Sequence, residues 1–214
     1  MRMAEDRHEA RLQLLLETLQ HMYPEARCRL EFSTPLELLI ATILSAQCTD
    51  ERVNRVTRLL FRKYRTAADY ATAAPEELAQ DIKSTGFYRQ KAASIQRCCA
   101  TLATEYGGDV PPRMEALVQL AGVGRKTANV VLGNAFNSAE GIAVDTHVKR
   151  VAQRLGLTAN ASPDTIEQDL MTTVPRAWWT QLSHLLIFHG RACCTARAPR
   201  CAACNLRCLC PSRT

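Results

Sequence analysis

Leu120-Ala121-Gly122-Val123-Gly124-Arg125-Lys126-Thr127 is the stretch whose reading decides the fold. A helical pattern runs into it, Pro111 to Leu120, with prolines suited to a first turn and with Leu117 and Leu120 on one face. A second pattern leaves it, Thr127-Ala-Asn-Val-Val-Leu132, too apolar to be anything but a largely buried helix. The link between them is Gly122-Val123-Gly124. Glycines admit positive φ and let a backbone approach a ligand closely. Amides exposed there, at the second helix's N-terminus, can hold an anion such as phosphate. A dinucleotide fingerprint fails, because Thr127 replaces the third glycine and no strand precedes. A phosphate-binding P-loop fails too, because Arg125 stands where a glycine should precede the lysine. Two readings remain: an ordinary turn between helices, or a helix-hairpin-helix that grips a nucleic-acid backbone.

Lys126 lies in the first turn of the second helix. An exposed lysine is protonated at neutral pH and a poor nucleophile. The positive end of a helix and partial burial both disfavour its charge and move it toward a usable amine. The plainer role is a phosphate contact. A second candidate sits in Val144-Asp145-Thr146-His147. Asp145 ends the apolar run Ile142-Ala-Val144 and opens a helix with Val148, Val151 and Leu155 on one face, closed by Gly156. Its plain role is N-cap. Helix amides would also keep it ionised. Beside a lysine amine, such a carboxylate can accept a proton or stabilise developing positive charge.

Leu120 to Leu132 followed by Val144-Asp-Thr-His147 resembles the endonuclease III family of DNA glycosylases. The resemblance spans roughly residues 10 to 210. It implies that Lys126 attacks the sugar C1′ and that Asp145 assists. It implies DNA contacts from the hairpin residues Gly122, Val123, Gly124, Arg125 and Thr127. Ala121 departs from the commoner proline. Leu44-Ser-Ala-Gln47-Cys-Thr-Asp50 resembles the family segment whose glutamine fills the hole left by an extruded nucleotide, with Cys48 where alanine is commoner. Gly86-Phe87-Tyr88 resembles the family's wedge loop, where an apolar side chain enters the base stack. The bland reading of Gln47 is a polar helix terminus, and that of Phe87 is core packing.

The chain has 214 residues and ten cysteines. A disulfide scaffold does not suit a reducing compartment. Cysteines concentrated near the C-terminus read as a metal site, and both zinc and an iron–sulfur cluster take four thiolates. Zinc usually takes two C-x2-C pairs, and this segment has one. The spacing Cys194-x6-Cys201-x2-Cys204-x5-Cys210 matches the endonuclease III cluster loop, so the resemblance implies a [4Fe–4S] cluster on those four cysteines. Cys193 and Cys208 do not fit that spacing. Arg197 and Arg200, within the loop, suit phosphate oxygens. His147, His184 and His189 lack an acidic partner at ligand spacing and read as core or capping residues.

The net charge is +6, which favours a polyanionic partner. No apolar run reaches transmembrane length, and no leader peptide is evident. These features lead to the expectation of a cytoplasmic, nucleoid-associated monomer without membrane association. Helical periodicities recur throughout. Residues 7 to 22 carry an apolar stripe. Thr34-Pro-Leu-Glu37 is a capping box opening a helix to about Gln47. Thr49 or Asp50, Pro75, Tyr88 and Ser162-Pro163 open others, and a last one covers about Arg176 to His189. No segment reads as a strand.

The fold class is therefore all-α. The resemblance implies a two-lobed helix-hairpin-helix glycosylase fold. A six-helix barrel would cover residues 28–137, with the hairpin at about 112–133. A discontinuous helical domain, 1–27 with 138–214, would carry the cluster loop at 194–210. The lysine and aspartate would face each other across the cleft. The activity implied is a bifunctional DNA glycosylase/AP lyase acting on double-stranded DNA with a damaged base or abasic site, the base most often an oxidised pyrimidine. The rival readings are a mismatch-specific glycosylase and a non-catalytic iron–sulfur module that binds DNA.

Overall fold

The computed structural model of the chain describes residues 2–213, with side chains from residue 9 onward and at Arg7. Among these residues there are α-helices, short 3₁₀ turns and no strand. The helices are α1 (Arg2–Met22), α2 (Pro35–Leu44), α3 (Asp50–Lys63), α4 (Ala67–Thr72), α5 (Pro75–Asp81), α6 (Tyr88–Glu105), α7 (Met114–Leu117), α8 (Arg125–Ala135), α9 (Thr146–Arg154), α10 (Pro163–Thr173) and α11 (Trp179–Ala192). None is long and apolar enough to cross a membrane. The chain divides into two compact units, Cys28–Glu140 and Met1–Arg27 with Gly141–Thr214.

The Cys28–Glu140 unit is built around α2, whose apolar residues Leu38, Leu39, Ile40 and Leu44 are fully buried. Burying each such side chain is worth about 1.5–3 kcal/mol. Pro35 presets the first turn, and the Thr34 hydroxyl accepts the Glu37 N–H. The Glu37 carboxylate reaches back to the N–H of Ser33, one residue beyond the N-cap donor of the expected capping box. The helix ends at Leu44, three residues before the expected limit. Ser45 takes the C-cap, with its N–H directed to Ala41 and Thr42 carbonyls. Gln47 is then left at φ 53, in the left-handed region.

Two further departures from the sequence expectation have local causes. Helix α4 is opened by a complete capping box in which Thr66 and Asp69 bond each other's backbone N–H groups. Its apolar anchor is the buried ring of Tyr70, an isolated residue in an alanine-rich segment. The helix entering the hairpin is a single turn, Met114–Leu117, because Pro111 and Pro112 precede it rather than start it and residues 118–121 form turns.

Helix α6 supplies the wall against which the hairpin packs. Ile95, Cys98, Cys99 and Leu102 are fully buried, and the helix stops before Gly107-Gly108, where the Gly108 N–H bonds the Leu102 carbonyl. Gly122, at φ +78, sits against Ser94 of this helix. A Cβ there would lie 2.9 Å from the Ser94 Cβ and 3.9 Å from Ile43. Gly124 differs: a Cβ there would meet no atom within 4 Å, and its backbone is extended (φ −94).

The second unit has its own core. Leu12, Leu15, Leu16 and Leu19 of α1 pack with Val148, Val151, Ile166, Leu170, Leu182, Leu185 and Leu186. Arg11 fastens the N-terminal helix to the far end of the chain, donating to the carbonyls of Leu155 (2.5 Å) and Leu209 (2.7 Å).

The two hairpin glycines should respond oppositely to the same change. Gly122→Ala combines left-handed strain of roughly 1–2 kcal/mol with overpacking against Ser94, so a loss of about 2–4 kcal/mol is expected in urea unfolding. Gly124→Ala should cost at most about 1 kcal/mol, the difference between two N-cap residues.

Candidate nucleic-acid and catalytic site

The hairpin presents donors outward and apolar weight inward. Val123 is buried, whereas Gly122 and Gly124 are exposed. Gly124 is the N-cap of α8 without a side-chain cap. The first N–H groups of α8 therefore lack the side-chain acceptor that usually serves a helix start, and an anion can take its place. Arg125 and Thr127, in the first turn, are half-buried. Lys126 between them is exposed, so the partial burial expected from sequence does not shield its amine. Ala128, Val131 and Leu132 anchor the helix below.

Asp145 is the N-cap of α9, at φ −102 and ψ −175. Its Oδ1 accepts the N–H groups of His147 and Val148, both at 2.8 Å. Its Oδ2 lies 3.2 Å from His147 Nδ1. Three contacts fix the carboxylate's orientation, and its side chain keeps 20% exposure. The two roles proposed from sequence, cap and site carboxylate, are compatible because one oxygen carries the amide bonds. Gly190 of α11 is what lets this helix pack so closely. A Cβ at Gly190 would come within 3.0 Å of Arg150 Nη2 and 3.3 Å of the His147 Cβ.

The C-terminal half of α9 grips the cysteine loop. Arg150 donates to the carbonyls of Gly190 (3.0 Å) and Cys194 (3.2 Å). Arg154 donates to Thr195 (2.7 Å) and Ala196 (3.0 Å), and to the Cys194 sulfur at 3.4 Å. The Cys210 thiol in turn points at the Arg154 carbonyl, 3.3 Å away. Cys194, Cys201, Cys204 and Cys210 line one cavity. None of the four is in a disulfide, and none is fully buried. A set of soft sulfur donors lining one cavity fits a thiolate-bound metal centre.

Two further donors stand at that cavity. Cys193 and His189 line it too, and a ring nitrogen of His189 and the sulfurs of Cys193 and Cys204 lie within 4.8 Å of one another. Spacing alone sets Cys193 aside and makes His189 a core residue. His189 is indeed buried, and burial pulls its pKa down to about 4, but it faces sulfur. Its Nδ1 lies 3.0 Å from the Tyr23 hydroxyl and its Nε2 3.8 Å from the Cys204 sulfur. The i, i+4 placement of His189 and Cys193 at the end of one helix is the signal that could have been read. His184 is half-buried and likewise held neutral by desolvation, its pKa lowered to about 4.

Gln47 and Phe87 are both exposed, Phe87 to 61%. That excludes core packing for Phe87. Both are non-glycine residues in the left-handed region, at φ 53 and φ 46. Such strain clusters at functional positions. Arg197 and Arg200 are exposed on the cysteine loop.

Residues 40–176 match the HhH-GPD superfamily of base excision DNA repair proteins. The chain is 52% identical to endonuclease III of Synechocystis sp. over 92% of its own length and 90% of the relative's. Among solved structures it resembles a non-covalent endonuclease III–DNA complex, with 47% identity, a TM-score of 0.90 and 95% of each chain covered. A trapped endonuclease III–DNA covalent intermediate gives the same identity and TM-score over 95% of this chain and 96% of that one. Hairpin, capped aspartate and cysteine loop thus occur together in a chain that belongs to the endonuclease III family of the HhH-GPD superfamily.

Proposed function

We propose that this protein is a bifunctional DNA glycosylase/AP lyase of base excision repair, with Lys126 as nucleophile and Asp145 as its assisting carboxylate. The observation that carries the reading is an exposed lysine in the first turn of α8, beside an open hairpin, in a chain 47% identical to an endonuclease III trapped covalently on DNA. Its substrate is double-stranded DNA bearing a damaged base, an oxidised pyrimidine by preference, or an abasic site.

The hairpin amides hold a phosphate near the lesion, and Gln47 and Phe87 enter the stack as the damaged nucleotide leaves it. Because Lys126 is exposed in the protein alone, water is removed from its amine only when the flipped nucleotide covers it. The neutral amine attacks C1′. An N–C1′ bond forms, the glycosidic bond breaks, and the base departs with the bonding electrons and then takes up the proton that the lysine nitrogen loses. The Asp145 carboxylate takes a proton from the lysine nitrogen or stabilises the positive charge that grows at the sugar. The sugar ring then opens to a Schiff base with Lys126. Loss of a C2′ proton pushes electrons toward the iminium, the C3′–O bond breaks, and the strand is nicked on the 3′ side.

The metal centre proposed for these soft donors is a [4Fe–4S] cluster, which Cys194, Cys201, Cys204 and Cys210 would hold. When bound, it cross-links a loop that has almost no apolar core of its own and so stabilises it. Arg197 and Arg200 would then be presented to DNA phosphates from a rigid loop.

Two experiments test this function. Lys126→Gln should abolish both strand nicking and the borohydride-trapped adduct, while DNA affinity falls by no more than about tenfold, the loss of one cation. Asp145→Asn should slow base release about 100-fold or more, with a smaller effect on nicking a pre-formed abasic site. A trapped adduct with Lys126→Gln would mean that another amine attacks, and no action of the wild type on any lesion or abasic site would leave a DNA-binding module. For the metal centre, the purified protein should be brown with about four iron atoms per chain. Cys201→Ser should lose the colour, whereas Cys193→Ser should keep it. Stoichiometric zinc without iron in anaerobically prepared protein sinks the cluster assignment.

A further inference from the structure

Lys91 is the one lysine that is buried in the Cys28–Glu140 unit, with 6% exposure. It belongs to the inward stripe of α6 with Ile95, Cys98 and Leu102, a position where an apolar side chain is expected. Its ammonium donates to two backbone carbonyls, Leu44 at 2.7 Å and Thr85 at 2.8 Å. Its own backbone N–H bonds a third carbonyl, that of Phe87, at 3.0 Å. No carboxylate is among its hydrogen-bond partners in the described residues. Removing an ammonium from water for two neutral acceptors is costly, and burial pulls the amine's pKa down. Leu44 ends α2, so the negative end of that helix offsets part of the cost.

The two carbonyls that the ammonium bonds mark where this cost is directed. Leu44 lies three residues before Gln47, and Thr85 lies two before Phe87. Gln47 and Phe87 are exposed and lie in the left-handed region, at φ 53 and φ 46, a region that Asn137 also adopts at φ 52. Their loops are separated by forty residues of sequence, and Lys91 bonds the backbone leading into each. Non-glycine residues persist in the left-handed region only when surrounding structure over-determines them.

We propose that Lys91 is a positioning residue that ties the Gln47 loop to the Phe87 loop, so that the two side chains enter duplex DNA as one device. It touches neither DNA nor the reacting sugar. The proposal rests on the reading of Gln47 and Phe87 as inserting residues. It adds that their insertion is coupled and names the group that couples it.

A double-mutant cycle on the full protein tests the coupling. Lys91→Met retains length and removes the donors. It should weaken binding to a duplex containing a reduced abasic-site analogue by roughly tenfold, the scale of coupling between residues with shared partners. Binding to the corresponding single strand should not change. In a Gln47→Ala/Phe87→Ala background the same substitution should have almost no further effect on the duplex. 2-Aminopurine opposite the analogue should show less unstacking with Lys91→Met than with wild type. If Lys91→Met does not fold, Lys91→Gln, which keeps one donor group, goes through the same cycle. An equal loss in both backgrounds, or equal losses on duplex and single strand, makes Lys91 a general stabiliser and overturns the proposal alone. If Gln47→Ala/Phe87→Ala binds the duplex as wild type does, the insertion reading fails and the coupling fails with it.

Discussion

In the Met1–Arg27 and Gly141–Thr214 unit, the folded-back cysteine loop depends on how Arg150 and Arg154 distribute their hydrogen bonds. Both guanidinium groups face backbone carbonyls of the cysteine loop and its approach, and Arg154 also faces a sulfur. A planar fork with several fixed donors can satisfy a folded-back loop in a way that a lysine cannot. The same short helix begins with Asp145, whose carboxylate is fixed by two amides. One element of nine residues therefore orients the Asp145 carboxylate at one end and holds the cysteine loop at the other. At Gly190 a side chain would crowd Arg150, Val151 and His147 of this helix, at 3.0–3.3 Å, so these neighbours would have to give by a few tenths of an ångström.

The arrangement also has an electrostatic side. Thiolates bound to a metal leave net negative charge that a partly buried loop cannot solvate fully. The hydrogen-bond partners of Arg150 and Arg154 among the described residues are carbonyls and a sulfur, not carboxylates, so their positive charge is not already cancelled. His189 contributes no such charge, because burial keeps it neutral. Its contribution is a directional contact, with Tyr23 on one ring nitrogen and Cys204 near the other.

Much of this is legible in the chain itself. The hairpin glycines, the cap at Asp145 and the helix starts at Thr34 and Thr49 carry local rules, and the structure places helices where those rules point. The all-α class follows from periodicity alone. What escapes has physical reasons. Helix α4 is held by a capping box and one buried tyrosine, too little apolar content for a periodicity to register. Lys91 falls on the inward stripe with Ile95 and Leu102, but its carbonyl partners come from segments distant in sequence, and no spacing rule reports them. Cys193 and His189 escape because the four-cysteine spacing matches a family pattern without them. A spacing match assigns ligands but does not reveal which neighbours crowd the same cavity. The pairing of first and last helices comes from resemblance, since no local signal in α1 names its partner.

That pairing has a consequence for how the protein is made. The apolar stripe of α1 leaves the ribosome before the residues it packs against, which reach Leu206, and Arg11 bonds the carbonyl of Leu209. At about 5–20 residues per second, the stripe waits roughly 10–40 seconds for its partners. During that interval the Cys28–Glu140 segment can complete its own core, because every residue of that core is already synthesised. While residues 141–206 are being made, the nascent chain thus carries an orphan leucine face on α1 beside a Cys28–Glu140 segment whose core residues are all present. Chaperones that shield apolar surface on nascent chains have a target in that face, and a fusion partner placed ahead of α1 would leave the wait unchanged while giving the face a neighbour.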